Sequence, residues 1–352
     1  MTSLYNYELA ELETLVKPSF RAKQIFDWIY KKYTFDFNEM KNIPNELKNQ
    51  LKENYIINPL TILKKEISLD GSIKYLFGLH DNHSIETVLL KMKDKKIDEE
   101  GKIIAGEKYT ICVSTQVGCK VGCAFCLTAK GGFIRNLEPS EIVAQVVNIK
   151  KDLELAENKS LNIVYMGMGE PLDNYDNFIK AVKIFSDEHG LIISRKRQTI
   201  STSGLATKIE KLAKENLGIN LAISLHAVDD ELRSELIPMN KAYNIKSIID
   251  AVRHFPADAR KKVLFEYLVI KDKNDDLNSA KKLVKLLAGI RAKVNLIYFN
   301  PYPGTTYERP SKESLIKFQE FLLSKGLLCT IRESKGLDIS AACGQLREKE
   351  TK

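Results

Sequence analysis

From about residue 111 onward, apolar runs of five to eight residues alternate with longer amphipathic segments, and few folds accept that alternation. The runs lie near 111–116, 161–166, 197–201, 218–225, 262–270 and 293–299. The spacing predicts helices between and after them, near 140–153, 175–188, 205–215, 244–255, 275–288 and 311–325. Strands joined through helices run parallel, because each crossover returns the chain to the same end of the sheet. Six such units and a last strand near 327–332 predict an α/β fold, a partial (β/α)6 barrel spanning 111–345 and followed by a tail, 346–352. Eight units would close a full barrel.

The first 110 residues have another rhythm. In 1–58, Pro18-Ser19 suits a helix start, Ile25, Trp28, Ile29 and Tyr33 recur three and four apart, and a second amphipathic stretch runs from Ile43 to Leu51. This predicts a small, mainly helical N-terminal accessory domain with Trp28 in its core. Residues 59–110 form a short β-rich connection: TILKKEISL, SIKYLFGL and SIETVLLKM are strand-like and broken by Asp70-Gly71. The charged stretch 93–107, KDKKIDEEGKIIAGE, is expected to be an exposed excursion.

The unusual sequences of the barrel fall at or just after its strands. GCKVGCAFC follows the first, GMGEP the second, STSG and SLHA mark the third and fourth, and NPYPG follows the sixth. Loops at the C-terminal ends of barrel strands build the active site, so these motifs converge on one mouth.

Six cysteines occur, at 112, 119, 123, 126, 329 and 343. The start of the chain lacks a basic region followed by an apolar stretch, and no run of eighteen apolar residues occurs, so a cytoplasmic protein without a membrane span is expected. In a reducing compartment clustered cysteines mark metal binding or catalysis rather than a disulfide framework. Cys119, Cys123 and Cys126 stand as C-x3-C-x2-C, which supplies thiolates for three irons of a [4Fe-4S] cubane and leaves the fourth without a protein ligand. That iron can chelate S-adenosylmethionine (SAM) and pass it an electron, breaking the sulfonium bond to give an adenosyl radical. A zinc site that recruits Cys112 as a fourth thiolate is the alternative, although its usual signature is paired C-x2-C knuckles. Gly169 and Glu170 of GMGEP resemble the glycine-rich element that receives the SAM amino group.

Net charge is +8, and it resides wholly in 111–352, because acidic and basic residues balance in the first 110. Arg195-Lys196-Arg197, Arg260-Lys261-Lys262 and Lys281-Lys282 with Lys285 are candidate contacts to a polyanion, or else solvated helix ends.

Together these motifs are similar to those of the RlmN/Cfr family of radical-SAM adenosine methyltransferases. The resemblance covers nearly the whole chain: FRAKQIFDWIY near the start, IETV at 85–88, CVSTQVGCKVGCAFC at 112–126, MGMGEPLDN at 166–174, STSG at 201–204, SLHA at 224–227, NPYPG at 300–304 and DISAACGQL at 338–346. It implies methylation of C2 of an adenosine in 23S rRNA and of the adenosine after the anticodon in tRNA. It implies that Cys343 carries the methyl group as S-methylcysteine, that Cys112 resolves the protein–RNA link through a transient disulfide, and that Glu86 accepts the C2 proton. Gly169, Glu170, Ser201, Ser224, Leu225, His226 and Asn300 match positions that contact SAM. A low-potential donor such as flavodoxin, a monomeric state and an RNA-contacting role for the helical appendage are further expectations. Two other readings are a Cfr-type enzyme that methylates C8 and a zinc-stabilised RNA-binding module. On the residues alone, Cys343 would also suit a buried thiol, Glu86 a surface carboxylate and His226 a backbone-bonded side chain, while Cys329 in LLCTI reads as core.

Overall fold

The computed structural model describes residues 1–94, 96–97, 103–155, 161–256 and 262–347. Residues 95 and 98–102 of the 93–107 excursion, Arg260-Lys261 and residues 348–352 of the tail lie outside the described residues.

One ten-stranded sheet organises the molecule. Its strands are β1 (Thr61–Ile67), β2 (Ile73–Gly78), β3 (Ser84–Lys93), β4 (Lys108–Cys112), β7 (Leu161–Tyr165), β8 (Gln198–Thr202), β9 (Asn220–Ser224), β10 (Val263–Val269), β11 (Ala292–Tyr298) and β12 (Leu328–Arg332). The labels β5 (Gln116–Gly118) and β6 (Phe133–Asn136) belong to a separate antiparallel hairpin. The seven strands from β4 to β12 pair in parallel, in chain order, with helices between them. The sheet ends on β12 at one side and β1 at the other, so it forms an open barrel. Interior strand positions are apolar, as in Val263-Leu-Phe-Glu-Tyr-Leu-Val, where both faces are covered.

Each predicted barrel helix is present: Pro139–Asp152, Tyr175–Ser186, Ala206–Glu215, Ile245–Arg253, Leu277–Leu286 and Lys312–Ser324. The first barrel strand ends earlier than the predicted 111–116. After Cys112 the chain peels away, yet Val113 still donates to Val164 O at 3.0 Å and Thr115 to Met168 O at 2.8 Å. The β-rich stretch is no free-standing connection either. Strand β3 pairs antiparallel with β4, Val88 opposite Cys112, so residues 61–93 form an antiparallel wing on the barrel sheet.

The N-terminal helices Leu9–Leu15, Phe20–Tyr30 and Asn45–Asn54 bury Ile25, Phe26, Ile29 and Tyr30. Trp28 is partly buried against that core and donates from Nε1 to Asn42 Oδ1 at 2.6 Å. The appendage docks on helix Pro139–Asp152, where Asn6 donates to Glu138 Oε2 and accepts from the Ser140 N–H, both at 2.9 Å. That helix is buried from Pro139 to Lys150, having the sheet on one side and the appendage on the other. Cys329 in β12 belongs to the apolar core.

Candidate active site

A cavity of about 460 Å³ opens at the C-terminal ends of the parallel strands, where the motifs were expected to meet. The cysteine loop forms one wall. Gly118 turns it at φ +73°, and no side chain fits there, because a Cβ would stand 2.0 Å from Gly132 O. The Cys119 N–H bonds that same carbonyl at 2.8 Å. The Ala124 N–H donates to Leu236 O at 2.9 Å, and the Tyr302 hydroxyl donates to Ala124 O at 3.0 Å. Phe125 meets the edge of His226 with ring centres 5.0 Å apart.

Cys119, Cys123 and Cys126 all line the cavity. Burial first, and repulsion from neighbouring anionic groups second, push their thiols up, Cys119 to about 12. Three such thiolates need a cationic partner between them. Among the described residues no three His, Cys, Asp or Glu side chains converge on one point as a single ion demands. Three cysteines on one cavity wall, spaced C-x3-C-x2-C, are a donor set that suits a cubane with one thiolate per iron. Cys112 does not complete a zinc site with them: the charged groups that act on it are Cys343 and Arg332.

The opposite wall carries the residues expected to hold SAM. Gly169 sits at φ +100°, with a hypothetical Cβ 2.8 Å from Gln116 N, so the loop crosses the cysteine strand's exit at backbone contact. That brings Glu170 into the cavity, 3% exposed, accepting from Leu172 N at 3.0 Å and Ser203 N at 2.7 Å. Burial raises its carboxyl above the ordinary value, and a ligand ammonium would counter that. Ser201 and Ser224 face each other with hydroxyls 3.4 Å apart. His226 accepts from the Leu268 N–H at Nδ1, 3.0 Å, leaving Nε2 as its donor. Asn300 lines the cavity too, whereas Leu225 is buried and outside its lining.

Cys343 reaches this cavity on a C-terminal segment laid across the mouth. Asn300 Nδ2 donates to Cys343 O at 3.4 Å, Leu127 N to Gly344 O at 2.7 Å, Gln345 Nε2 to Pro301 O at 3.1 Å, and the Thr128 hydroxyl to Leu346 O. Cys343 is exposed and Cys112 is buried, its thiol raised to about 12 chiefly by burial. Glu86 is not on the cavity lining. It shares a strand face with Val88, Leu90 and Met92, which are, but its carboxylate meets Lys74 Nζ at 3.3 Å and the Arg347 N–H at 3.1 Å.

Two cavity residues escaped the sequence reading. Arg332, at the end of β12, stands by both cysteines, and Glu266, in β10, lies 3.9 Å from it with Oε2 buried and unpartnered. A carboxylate within the apolar run VLFEYLV was the available signal.

Comparison with known proteins places this geometry. A model of the Radical SAM superfamily matches residues 113–284, and one of the ribosomal RNA large subunit methyltransferase N-terminal domain matches 3–57. The dual-specificity RNA methyltransferase RlmN of Aliarcobacter butzleri is 70% identical over 350 residues, 99% of this chain and 97% of the relative. The chain belongs to the RlmN family of radical-SAM enzymes. A second RlmN, from Sulfurimonas denitrificans, is 67% identical over 99% of this chain and 98% of its own. The crystal structure of a radical SAM methyltransferase from Sphaerobacter thermophilus superposes with a TM-score of 0.91 at 41% identity, covering 99% of both chains. The family uses a [4Fe-4S] cluster and SAM, for which the cavity has the donors. Among the described residues no helix is long and apolar enough to cross a membrane.

Proposed function

We propose that this chain is a dual-specificity RNA methyltransferase that methylates C2 of an adenosine in 23S rRNA and in tRNA, using two SAM per turnover. The observation that carries the reading is that Cys343 and Cys112 share the cavity lined by the three cluster cysteines. A radical generator alone needs neither. Adenine C2 is electron-poor and cannot displace a methyl group from SAM, so a bound cluster and SAM supply the hydrogen-abstracting radical that this carbon requires.

The protein's own groups do the rest. Glu170 accepts the SAM ammonium, while Ser201, Ser224, His226 and Asn300 offer hydroxyl, imidazole and amide partners around it. The Cys343 thiolate takes the methyl group of the first SAM by displacement, releasing S-adenosylhomocysteine, and presents it to the base as a thioether. Arg332 keeps a positive charge where sulfur anions form. Cys112 holds its proton until the protein–RNA link must be resolved; its thiolate then attacks Cys343 Sγ, the carbon–sulfur bond to the base breaks with its electron pair going to the methylated base, and cellular thiols reduce the resulting disulfide. Glu86 accepts the C2 proton once the Arg347 amide releases its carboxylate. The accessory domain and the basic barrel half contact RNA, and the reaction runs in the cytoplasm on a monomer supplied by a low-potential donor such as flavodoxin.

Anaerobic incubation of the reconstituted protein with SAM, a reductant and protein-free 23S rRNA or tRNA, followed by nucleoside mass spectrometry, tests this. We expect 2-methyladenosine in both RNAs. 8-Methyladenosine in its place would assign the Cfr chemistry, and no methylated adenosine would overturn the reading.

A further inference from the structure

Arg233 is fully buried, yet every hydrogen-bond acceptor it has among the described residues is neutral. Nε donates to Leu225 O at 3.0 Å, Nη1 to Asn240 Oδ1 at 2.8 Å, and Nη2 to Ser224 O at 3.0 Å and to Ser203 O. Burying a guanidinium without a counter-charge is costly, and its solvation is only partly replaced by carbonyl dipoles. Arg233 is also absent from the cavity lining.

Its place in the fold names the missing partner. Arg233 lies on the short helix Asp230–Leu236, whose last residue accepts from the Ala124 N–H of the cysteine loop at 2.9 Å. Leu236 and Ile237 pack in one apolar cluster with Val121, and Cys119, Cys123 and Phe125 lie against it. The helix that carries Arg233 thus packs behind the cysteine loop, its Leu236 carbonyl bonded to the residue next to Cys123. The anionic groups that act on it are the Cys123 thiolate and Asp230. Asp230 is already engaged by Asn240 Nδ2 at 3.0 Å and Ile245 N at 2.9 Å.

We infer that Arg233 is the buried counter-charge of the cluster and sets its reduction potential. An oxidised cubane core with three thiolates carries one net negative charge, and one electron from the donor makes it two. A fixed positive charge in a dry wall stabilises the second more than the first, so it eases reduction. Arg233 is a tuning residue acting through the cysteine loop. The inference rests on Cys119, Cys123 and Cys126 being the cluster ligands.

The test is a potentiometric titration of the reconstituted holoenzyme, followed by electron paramagnetic resonance, for wild type, Arg233→Gln, Arg233→Lys and Asp230→Asn. Iron and sulfide content is measured on each. With the charge removed in Arg233→Gln, the equilibrium constant for reduction is expected to fall about tenfold, a midpoint lower by about 59 mV for one electron. Arg233→Lys keeps the charge and loses most of the hydrogen bonds, so its midpoint should stay near wild type. Asp230→Asn removes an opposing charge and should raise the midpoint. A loaded Arg233→Gln protein with an unmoved midpoint overturns the assignment, as does an Arg233→Lys protein shifted as far as the glutamine variant. If Arg233→Gln does not fold, Asp230→Asn decides: a raised midpoint supports the assignment, and an unmoved or lowered one overturns it. Wild-type protein that binds no cluster would instead sink the cofactor reading.

Discussion

Replacing Gly344 by alanine tests whether the C-terminal segment must be seated for Cys343 to work. Gly344 adopts φ +84°, and an alanine Cβ there would lie 3.1 Å from Phe125 O and 3.9 Å from Cys126 Cα, against the cysteine loop itself. A non-glycine residue in this region costs about 1–3 kcal/mol before the close contact is counted. The seat has little to spare. Four hydrogen bonds hold it, at Cys343, Gly344, Gln345 and Leu346, each contributing about 1 kcal/mol net. Burying Leu346 adds about 2 kcal/mol. Ordering residues 341–346 opposes this by about 1 kcal/mol per residue or more. Against so near a balance, about 1–3 kcal/mol lowers the seated-to-released ratio roughly 5–150-fold. We therefore expect at least a fivefold slower appearance of S-methylcysteine at Cys343, followed by peptide mass spectrometry, with iron content unchanged. Wild-type methyl transfer in a loaded Gly344→Ala protein would refute the reasoning.

Three further outcomes follow from the same geometry. Cys343→Ala should keep the cluster and lose RNA methylation, and Cys112→Ala should accumulate a covalent protein–RNA adduct on denaturing gels; methylation by the first or no adduct with the second would remove their assigned roles. Burial takes the His226 imidazole from 6.5 down to about 3, so the fold favours the neutral ring. The associated stability is complete above pH 6.5 and is lost as pH falls from there toward 3. Denaturant titrations of His226→Asn, a residue that tolerates the φ of +60° at this position, should show a flatter pH dependence than wild type across that window. Cys329→Ala should retain both iron and methylation, at a stability cost of about 1–2 kcal/mol in urea, because this thiol packs in the core away from the cavity.

What was legible in the sequence is what local spacing encodes. Apolar runs alternating with amphipathic segments gave the barrel strands and helices to within a few residues, and the C-x3-C-x2-C spacing marked one wall of the cavity. The fusion of residues 61–93 to the barrel sheet was not legible, since it depends on Val88 lying opposite Cys112 across a charged excursion. Nor was the position of Glu86, whose carboxylate is met by an amide 261 residues later in the chain.

Charge was the least legible of all, because the same residue type means opposite things on the surface and in the wall. In DDELRSEL the arginine stands among acidic residues, and only the fold turns it inward, away from their carboxylates. Beside buried Glu266, the buried Glu170 and Arg233 and the half-buried Arg332 are three charges in and behind the cavity wall. In the proposed mechanism Glu170 takes the SAM ammonium and Arg332 acts on Cys343 and Cys112, while Arg233, off the cavity lining, is assigned to the cluster. Each is costly to bury unless a group of opposite charge completes it. SAM's ammonium, the sulfur anions and the iron–sulfur cluster are the three such groups that this chemistry brings, so the placement of the charges and the demands of the reaction account for one another.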